Sequence, residues 1–105
     1  MSGIAVVLTT VGTEAEASTL ATTLVERQLA ACVNVIPGVS STYRWKGAVA
    51  TDAEWLLVIK TRTDRFDEIR AAILELHSYE LPEIVMIEAS RVDPAYRAWI
   101  DGNVS

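Results

Sequence analysis

Two side chains that could act as metal ligands or catalytic groups occur once each in this chain, as Cys32 and His77. A cysteine nucleophile needs a nearby base, and no Q-A-C-x-G or C-G-x-C-W sequence surrounds Cys32. An unpaired cysteine in a buried strand is usually a small apolar packing residue. Cys32 is therefore interpreted as packing first and as a metal ligand second.

His77 begins a seven-residue segment, HSYELPE, that holds an imidazole, a phenol and two carboxylates. One imidazole with the carboxylates of Glu80 and Glu83 suits Cu(II) or Zn(II), and a thiolate from Cys32 would favour Cu(I) or Zn. In the alternative, His77 caps the end of a helix and both glutamates are solvated. The candidate metal ligands are His77, Glu83, Glu80 and Cys32.

Lys60 places a cation at the end of the apolar run Trp55 to Ile59. Its ammonium either reaches water from a strand end or lines an anion pocket together with Arg62. Aromatic side chains could form a stacking cleft, although such residues more often pack at interfaces. The aromatic candidates are Tyr43, Trp45, Trp55, Tyr79, Tyr96 and Trp99.

The periodicity of apolar residues predicts four strands and three helices that position these side chains. Thr13 and Glu16 have the spacing of a capping box, Thr63 or Asp64 is expected to cap the second helix, and Asp93-Pro94 the third. The predicted elements are strands over 4–10, 32–45, 48–61 and 84–88, and helices over 14–28, 66–76 and from 94 onward. This βαββαβ order with a C-terminal helix predicts an α+β, ferredoxin-like fold.

Two features of the strands indicate self-association. The strand sequences beginning at Ile4, Trp55 and Ile84 are apolar on both faces, which would expose a large apolar patch on a monomer. The two central strands are about twice the usual length, so their hairpin, turning at Lys46-Gly47, should extend beyond the sheet. We expect a homo-oligomer with Tyr43, Trp45 and Trp55 at its interface.

Length and charge restrict the class of protein. A chain of 105 residues with a net charge of −5 indicates one domain over residues 1–105 and disfavours nucleic acid as a partner. The single cysteine favours a cytoplasmic location, and the N-terminal apolar run is too short for a signal peptide or a membrane span. The P-loop, G-x-G-x-x-G and G-x-S-x-G motifs are absent, so no enzymatic activity is expected.

Five motifs in register, ERQLAACVN, YRWKG, IKTR, HSYELPE and YRAWI, resemble the CutA family of divalent-cation tolerance proteins. The resemblance runs from Ile4 to Val104. It implies a trimer of ferredoxin-like subunits with interlocking hairpins, an architecture similar to that of PII-type signalling proteins. By position, the resemblance also marks Cys32, Lys60 and the His77 segment as candidate site residues.

These observations lead to three hypotheses. The first is a cytoplasmic homotrimer that binds a divalent cation, copper above all, through His77 with Glu83 or Glu80, without catalysis. The second is a PII-like signalling module that holds a small anionic ligand in an intersubunit cleft lined by Lys60, Tyr79, Trp99 and Cys32. The third is a structural trimer that acts through a protein partner.

Overall fold

A computed structural model describes residues 2–105. Its elements are β1 (Ile4–Val11), α1 (Glu14–Glu26), β2 (Cys32–Trp45), β3 (Ala48–Arg62), α2 (Phe66–Leu76), β4 (Val85–Glu88) and α3 (Pro94–Asn103). The sheet order is β2-β3-β1-β4, and all neighbouring strands are antiparallel. The predicted ferredoxin-like order of elements is confirmed.

Side-chain caps begin α1 and α3 as the sequence predicts, but the Glu16 carboxylate hydrogen-bonds Ser78 and does not complete the predicted capping box. The Thr13 hydroxyl accepts a hydrogen bond from the backbone N–H of Glu16 at 3.1 Å, and the Asp93 carboxylate accepts one from Tyr96 at 3.1 Å. The helix α1 ends at Glu26, two residues earlier than predicted, because Gln28 adopts a left-handed conformation with φ 57°. Within residues 2–105, no helix is long and apolar enough to cross a membrane.

The start of α2 differs from the prediction. A 3₁₀ turn over Thr63–Arg65 precedes the helix, and no side-chain hydrogen bond caps its first residue. The Asp64 carboxylate instead lies 3.1 Å from the guanidinium of Arg62, which lowers the pKa of that carboxyl group. The expectation that Thr63 or Asp64 caps this helix is wrong, because the preceding arginine engages the carboxylate.

The hydrophobic core lies between the sheet and the two helices α1 and α2. Its fully or nearly fully buried members are Val7, Val11, Ala17, Leu20, Leu24, Ala30, Leu57, Ile59, Ile69, Ala72 and Ile73. Trp55 packs against this cluster from β3, so this tryptophan contributes to the core of its own chain. Tyr43 and Trp45, which were predicted to share an interface with Trp55, are exposed.

The hairpin formed by β2 and β3 extends beyond the sheet as predicted. The pairing of β3 with β1 covers Trp55 to Arg62, so the preceding part of β3 pairs with β2 alone. The register shifts between Ile36 and Val39, where Gly38 has φ 74°. The turn at Lys46-Gly47 is confirmed by positive φ angles at both residues.

The side of the sheet that faces away from α1 and α2 is called the open face below. Alternate residues of all four strands form it, including Val6, Leu8, Ile36, Leu56, Val58, Val85 and Ile87. One end is covered by α3, whose Ile100 packs with Ile4 and Ala31. The remainder stays open, and the side chain of Ile87 is 51% exposed.

Candidate functional site

A cleft of about 930 Å³ lies between the extended hairpin and the segment that follows α2. We call it the hairpin cleft. Its lining residues are Thr10, Ser41, Thr42, Tyr43, Arg44, Trp45, Asp52, Glu54, Ser78, Tyr79, Glu80, Leu81, Pro82 and Glu83. The volume is in the range of small-ligand sites, and it contains most of the HSYELPE segment.

His77 is the first residue of this segment, and its side chain is fully buried. Its ring nitrogen Nε2 is 2.7 Å from the carbonyl oxygen of Thr10, which requires Nε2 to carry the proton and donate it. Its Nδ1 accepts the backbone N–H of Tyr79 at 3.0 Å. Both ring nitrogens are therefore engaged, and neither has a lone pair free to bind a metal in this arrangement.

Glu16 on α1 holds the same segment from the other side. Its carboxylate accepts hydrogen bonds from the Ser78 backbone N–H at 2.8 Å and from the Ser78 hydroxyl at 3.0 Å. One oxygen of Glu16 also lies 3.4 Å from Nδ1 of His77. The contact of Nδ1 with the Tyr79 N–H is shorter than its contact with Glu16, so Nδ1 accepts the Tyr79 hydrogen bond as part of a neutral imidazole. Hydrogen bonds to β1 and α1 therefore fix the segment.

Tyr79 connects the segment to the hairpin. Its hydroxyl donates a 2.7 Å hydrogen bond to the carboxylate of Glu54, a residue that is only 6% exposed. Burial and the neighbouring Glu54 carboxylate raise the pKa of the Tyr79 hydroxyl, because both disfavour the phenolate. The protonated phenol is thus the donor that satisfies an otherwise uncompensated buried carboxylate.

Gly12 allows this contact at the end of β1. A Cβ atom placed on Gly12 would lie 3.1 Å from the Tyr79 hydroxyl oxygen, which is tighter than ordinary packing. The absence of a side chain lets Tyr79 lie against the backbone and reach Glu54.

The hairpin cleft carries more negative than positive charge. Asp52 accepts a hydrogen bond from Tyr43, and this bond raises the pKa of the Tyr43 hydroxyl. The four lining carboxylates are those of Asp52, Glu54, Glu80 and Glu83, and Arg44 is the cation among the lining residues. In the part of the chain that the structure describes, no ion pair joins any of these four carboxylates to a lysine or arginine.

Cys32 lies away from this cleft. It stands opposite Lys60 in the register of β2 with β3, in the row that contains Val6 of β1. His77 contacts Thr10, four residues farther along β1, a separation of about 13 Å along the strand. Within one chain the structure does not bring Cys32 to the other candidate ligands, and the described residues contain no group of three or more His, Cys, Asp or Glu side chains arranged around a metal position.

The residues predicted to line the second candidate cleft also lie in two separate regions of one chain. Lys60 has its ammonium 5.8 Å from the ring centre of Tyr96, and Tyr96 stacks on Trp99. Tyr79 lies in the hairpin cleft, at the other end of β1. Lys60, Cys32 and Trp99 therefore belong to the end of the open face next to α3, and Tyr79 could join them only from a second copy.

Two important residues were missed as site residues in the sequence. Glu54 lies on the same face of β3 as Asp52, and the sequence gives no sign that this acidic face is buried while the apolar Val49 on the other face is exposed. In the structure, Glu54 is buried and Val49 is 66% exposed. Glu16 was recognised only as part of a capping box, and its contact with Ser78 joins residues 62 positions apart.

Comparison with known proteins places these features in a family. Residues 5–103 match the family described as CutA1 divalent ion tolerance protein. The divalent-cation tolerance protein CutA of Thermus thermophilus is 45% identical over 98 residues, which cover 93% of this chain and 95% of that protein. The chloroplastic protein CutA 1 of Oryza sativa is 38% identical over 95 residues, and this chain spans about half of it, with 90% of this chain and 54% of that protein covered.

Solved structures with similar names superimpose on nearly the whole of this chain. The divalent cation tolerance protein of Thermus thermophilus superimposes with a TM-score of 0.95 at 43% identity, covering 97% of this chain and 99% of that one. CutA from Xylella fastidiosa gives a TM-score of 0.95 at 33% identity, with 98% and 99% covered. Because the rice relative is named chloroplastic and the Archaeoglobus fulgidus structure periplasmic, the cytoplasmic location stays a prediction.

Proposed function

The chain belongs to the CutA1 family of divalent ion tolerance proteins, and from this membership we propose that it binds a divalent metal cation, copper above all, without catalysing a reaction. The binding site is the hairpin cleft. The observation that carries the proposal is the set of four carboxylates lining this cleft without a lysine or arginine partner among residues 2–105.

The exposed carboxylates of Glu80 and Glu83 are the first ligands of the cation. Asp52 and Glu54 add negative charge from the hairpin, which attracts a cation to the cleft. A divalent ion can be held by one or two carboxylates while keeping several water molecules, so a preformed cage is not required. For a given set of oxygen ligands, copper binds more tightly than the other first-row divalent ions.

His77 acts as a positioning residue in this proposal. Its two hydrogen bonds, to Thr10 and from Tyr79, fix the backbone from which Glu80 and Glu83 project. Cys32 joins the ligands only if a neighbouring copy brings it to the cleft. The proposal therefore keeps the cation and the segment predicted from the sequence, and moves the ligands from the imidazole to the carboxylates.

The assembly we propose is a homotrimer. The exposed apolar part of the open face and the extended hairpin of one chain would each be covered by neighbouring copies. Covering the hairpin would also exclude water from the cleft and strengthen the attraction between carboxylates and a cation.

The test is calorimetric titration of metal-free protein with Cu(II), Zn(II) and Mn(II). We expect Cu(II) to bind most tightly, and E80Q and E83Q each to weaken its binding about tenfold. The control is E75Q, because Glu75 is also an exposed carboxylate, on α2, and lies outside the cleft. Equal affinities for wild type, E80Q and E83Q would refute the cleft as the metal site.

The electron paramagnetic resonance spectrum of bound Cu(II) separates the two roles of His77. Oxygen ligands alone give a spectrum without nitrogen couplings, which is the expected result. The variant H77A should lose about 2 kcal/mol of unfolding free energy, because it leaves the Thr10 carbonyl and the Tyr79 N–H without their partner. Nitrogen couplings that vanish in H77A would show that the imidazole is a ligand after all.

A further inference from the structure

Lys60 is a cation among the mostly apolar residues of the open face. It stands between Cys32 on β2 and Val6 on β1, and the next residue in that row is Ile87 of β4. Lys60 is partly buried. Among residues 2–105, no carboxylate lies within ion-pair distance of its ammonium.

The nearest cation on the same strand face is differently placed. Arg62 pairs with Asp64 at 3.1 Å and donates to the backbone oxygens of Val104 at 3.0 Å and Ser105 at 3.5 Å. Its guanidinium therefore ties the C-terminal residues to β3. Lys60 has no such role, and its only described partner is the ring of Tyr96.

An aromatic pair borders the ammonium on α3. The rings of Tyr96 and Trp99 stack with their centres 5.5 Å apart and an angle of 29° between their planes. Both rings are exposed, Trp99 to 46%. A cation and a flat aromatic surface thus lie side by side at the α3 end of the open face.

We propose that Lys60, Tyr96 and Trp99 form a binding site for a planar organic anion, an aromatic ring that carries a carboxylate or phosphate group. The anionic group pairs with the Lys60 ammonium, and the ring lies against the exposed aromatic pair. Because Lys60 has no carboxylate partner among residues 2–105, its ammonium is free to pair with an anionic group. This site lies at the opposite end of β1 from the hairpin cleft and does not depend on the cation proposal.

Benzoate is the probe, titrated calorimetrically at low salt into the full chain. Benzamide has the same ring without the charge, and acetate has the charge without the ring. We expect benzoate to bind and both controls to bind about tenfold more weakly or not at all, because each lacks one of the two interactions.

The chain provides a matched control for Lys60, since Lys46 is its only other lysine. The Lys46 ammonium lies 5.9 Å from the ring centre of Trp45, close to the Lys60 to Tyr96 distance of 5.8 Å. We expect K60M to weaken benzoate binding about tenfold and K46M to leave it unchanged. Methionine keeps the apolar stem of lysine, and circular dichroism verifies that each variant is folded.

A second variant, W99L, removes the flat surface and leaves the charge. It should bring the affinity for benzoate down to that for acetate, and it tests the site even if K60M does not fold. The proposal is overturned if wild type binds benzoate no better than acetate, if K60M and K46M behave alike, or if W99L has no effect.

Discussion

His77 has a different role in the structure from the one that its chemistry suggests. A lone histidine among carboxylates indicates a metal ligand, but both nitrogens of this ring form hydrogen bonds inside the chain. The carboxylates that follow it line the cleft. In the proposed function, His77 therefore positions the carboxylates that bind the cation and is not itself a ligand.

Tyr79 should make the stability of the protein depend on alkaline pH. Its pKa is raised above the usual value of 10.0, so the folded chain keeps the phenol proton at pH values where the unfolded chain loses it. The stabilisation is complete below pH 10 and decreases as the pH rises above it. Denaturant unfolding at a series of pH values should show this decrease in wild type and a smaller one in Y79F.

Absorbance titration of the tyrosines provides an independent measurement. The chain has three tyrosines, and we expect Y79F to lose the step with the highest pKa. The control is Y96F, which removes a tyrosine outside the hairpin cleft and should leave that step in place. If the highest step survives in Y79F, the hydrogen bond between Tyr79 and Glu54 does not govern this ionisation.

The hairpin cleft depends on the way three elements meet. The segment after α2 is tied to β1 through His77, to α1 through Ser78 and to the hairpin through Tyr79. The end of β1 has to pass beneath Tyr79, and Gly12 leaves room for it. A change at this glycine should therefore act on the cleft although Gly12 bears no functional group.

The variant G12A tests this role. The added methyl group would meet the Tyr79 hydroxyl at 3.1 Å and lengthen its bond to Glu54, with an expected loss of about 1 kcal/mol in unfolding free energy. The absorbance step of Tyr79 should move toward the ordinary tyrosine pKa. Both quantities are measured by denaturant unfolding and absorbance titration.

The matched control is G102A in α3, where an added Cβ meets nothing within 4 Å. Alanine is the better helix former by about 1 kcal/mol, so this variant should be as stable as wild type or more stable. Equal behaviour of G12A and G102A would show that the close approach of Tyr79 to Gly12 has no energetic importance.

A single chain leaves large apolar side chains exposed that an assembly of several copies would cover. Outside the part covered by α3, the open face presents Ile36, Val85 and Ile87 to solvent, and the hairpin presents Tyr43 and Trp45. A contiguous patch of exposed apolar residues is typical of an interface between subunits. The proposed homotrimer would bury them.

The variant I87E tests whether the open face holds the copies together. A carboxylate there would be buried without a partner in the assembly, so sedimentation should show wild type as a trimer and I87E as smaller species. The control is L74E, because Leu74 on α2 is 45% exposed against 51% for Ile87 but lies on the other side of the molecule. A trimer that persists in I87E, or a wild type that is a monomer, would contradict the proposal.

The sequence was a good guide to the elements and a poorer one to the site. Local signals sufficed for β2 and its turn at Lys46-Gly47, because alternation and turn residues act over neighbouring positions. The start of α2 was mispredicted because Arg62 engages Asp64. Glu54 was overlooked because its burial depends on Tyr79, 25 residues away.

The sequence by itself determined the order of elements, the long hairpin, the two-sided apolar strands and the family, since these follow from periodicity, turn chemistry and motifs. Only the tertiary structure decided which candidates meet. In the structure, Cys32 and His77 lie beside different parts of β1, and both nitrogens of the imidazole form hydrogen bonds. Four carboxylates line one cleft. The physical reason is that strand register and chain crossing fix distances between residues remote in sequence, and local patterns carry no information about those distances.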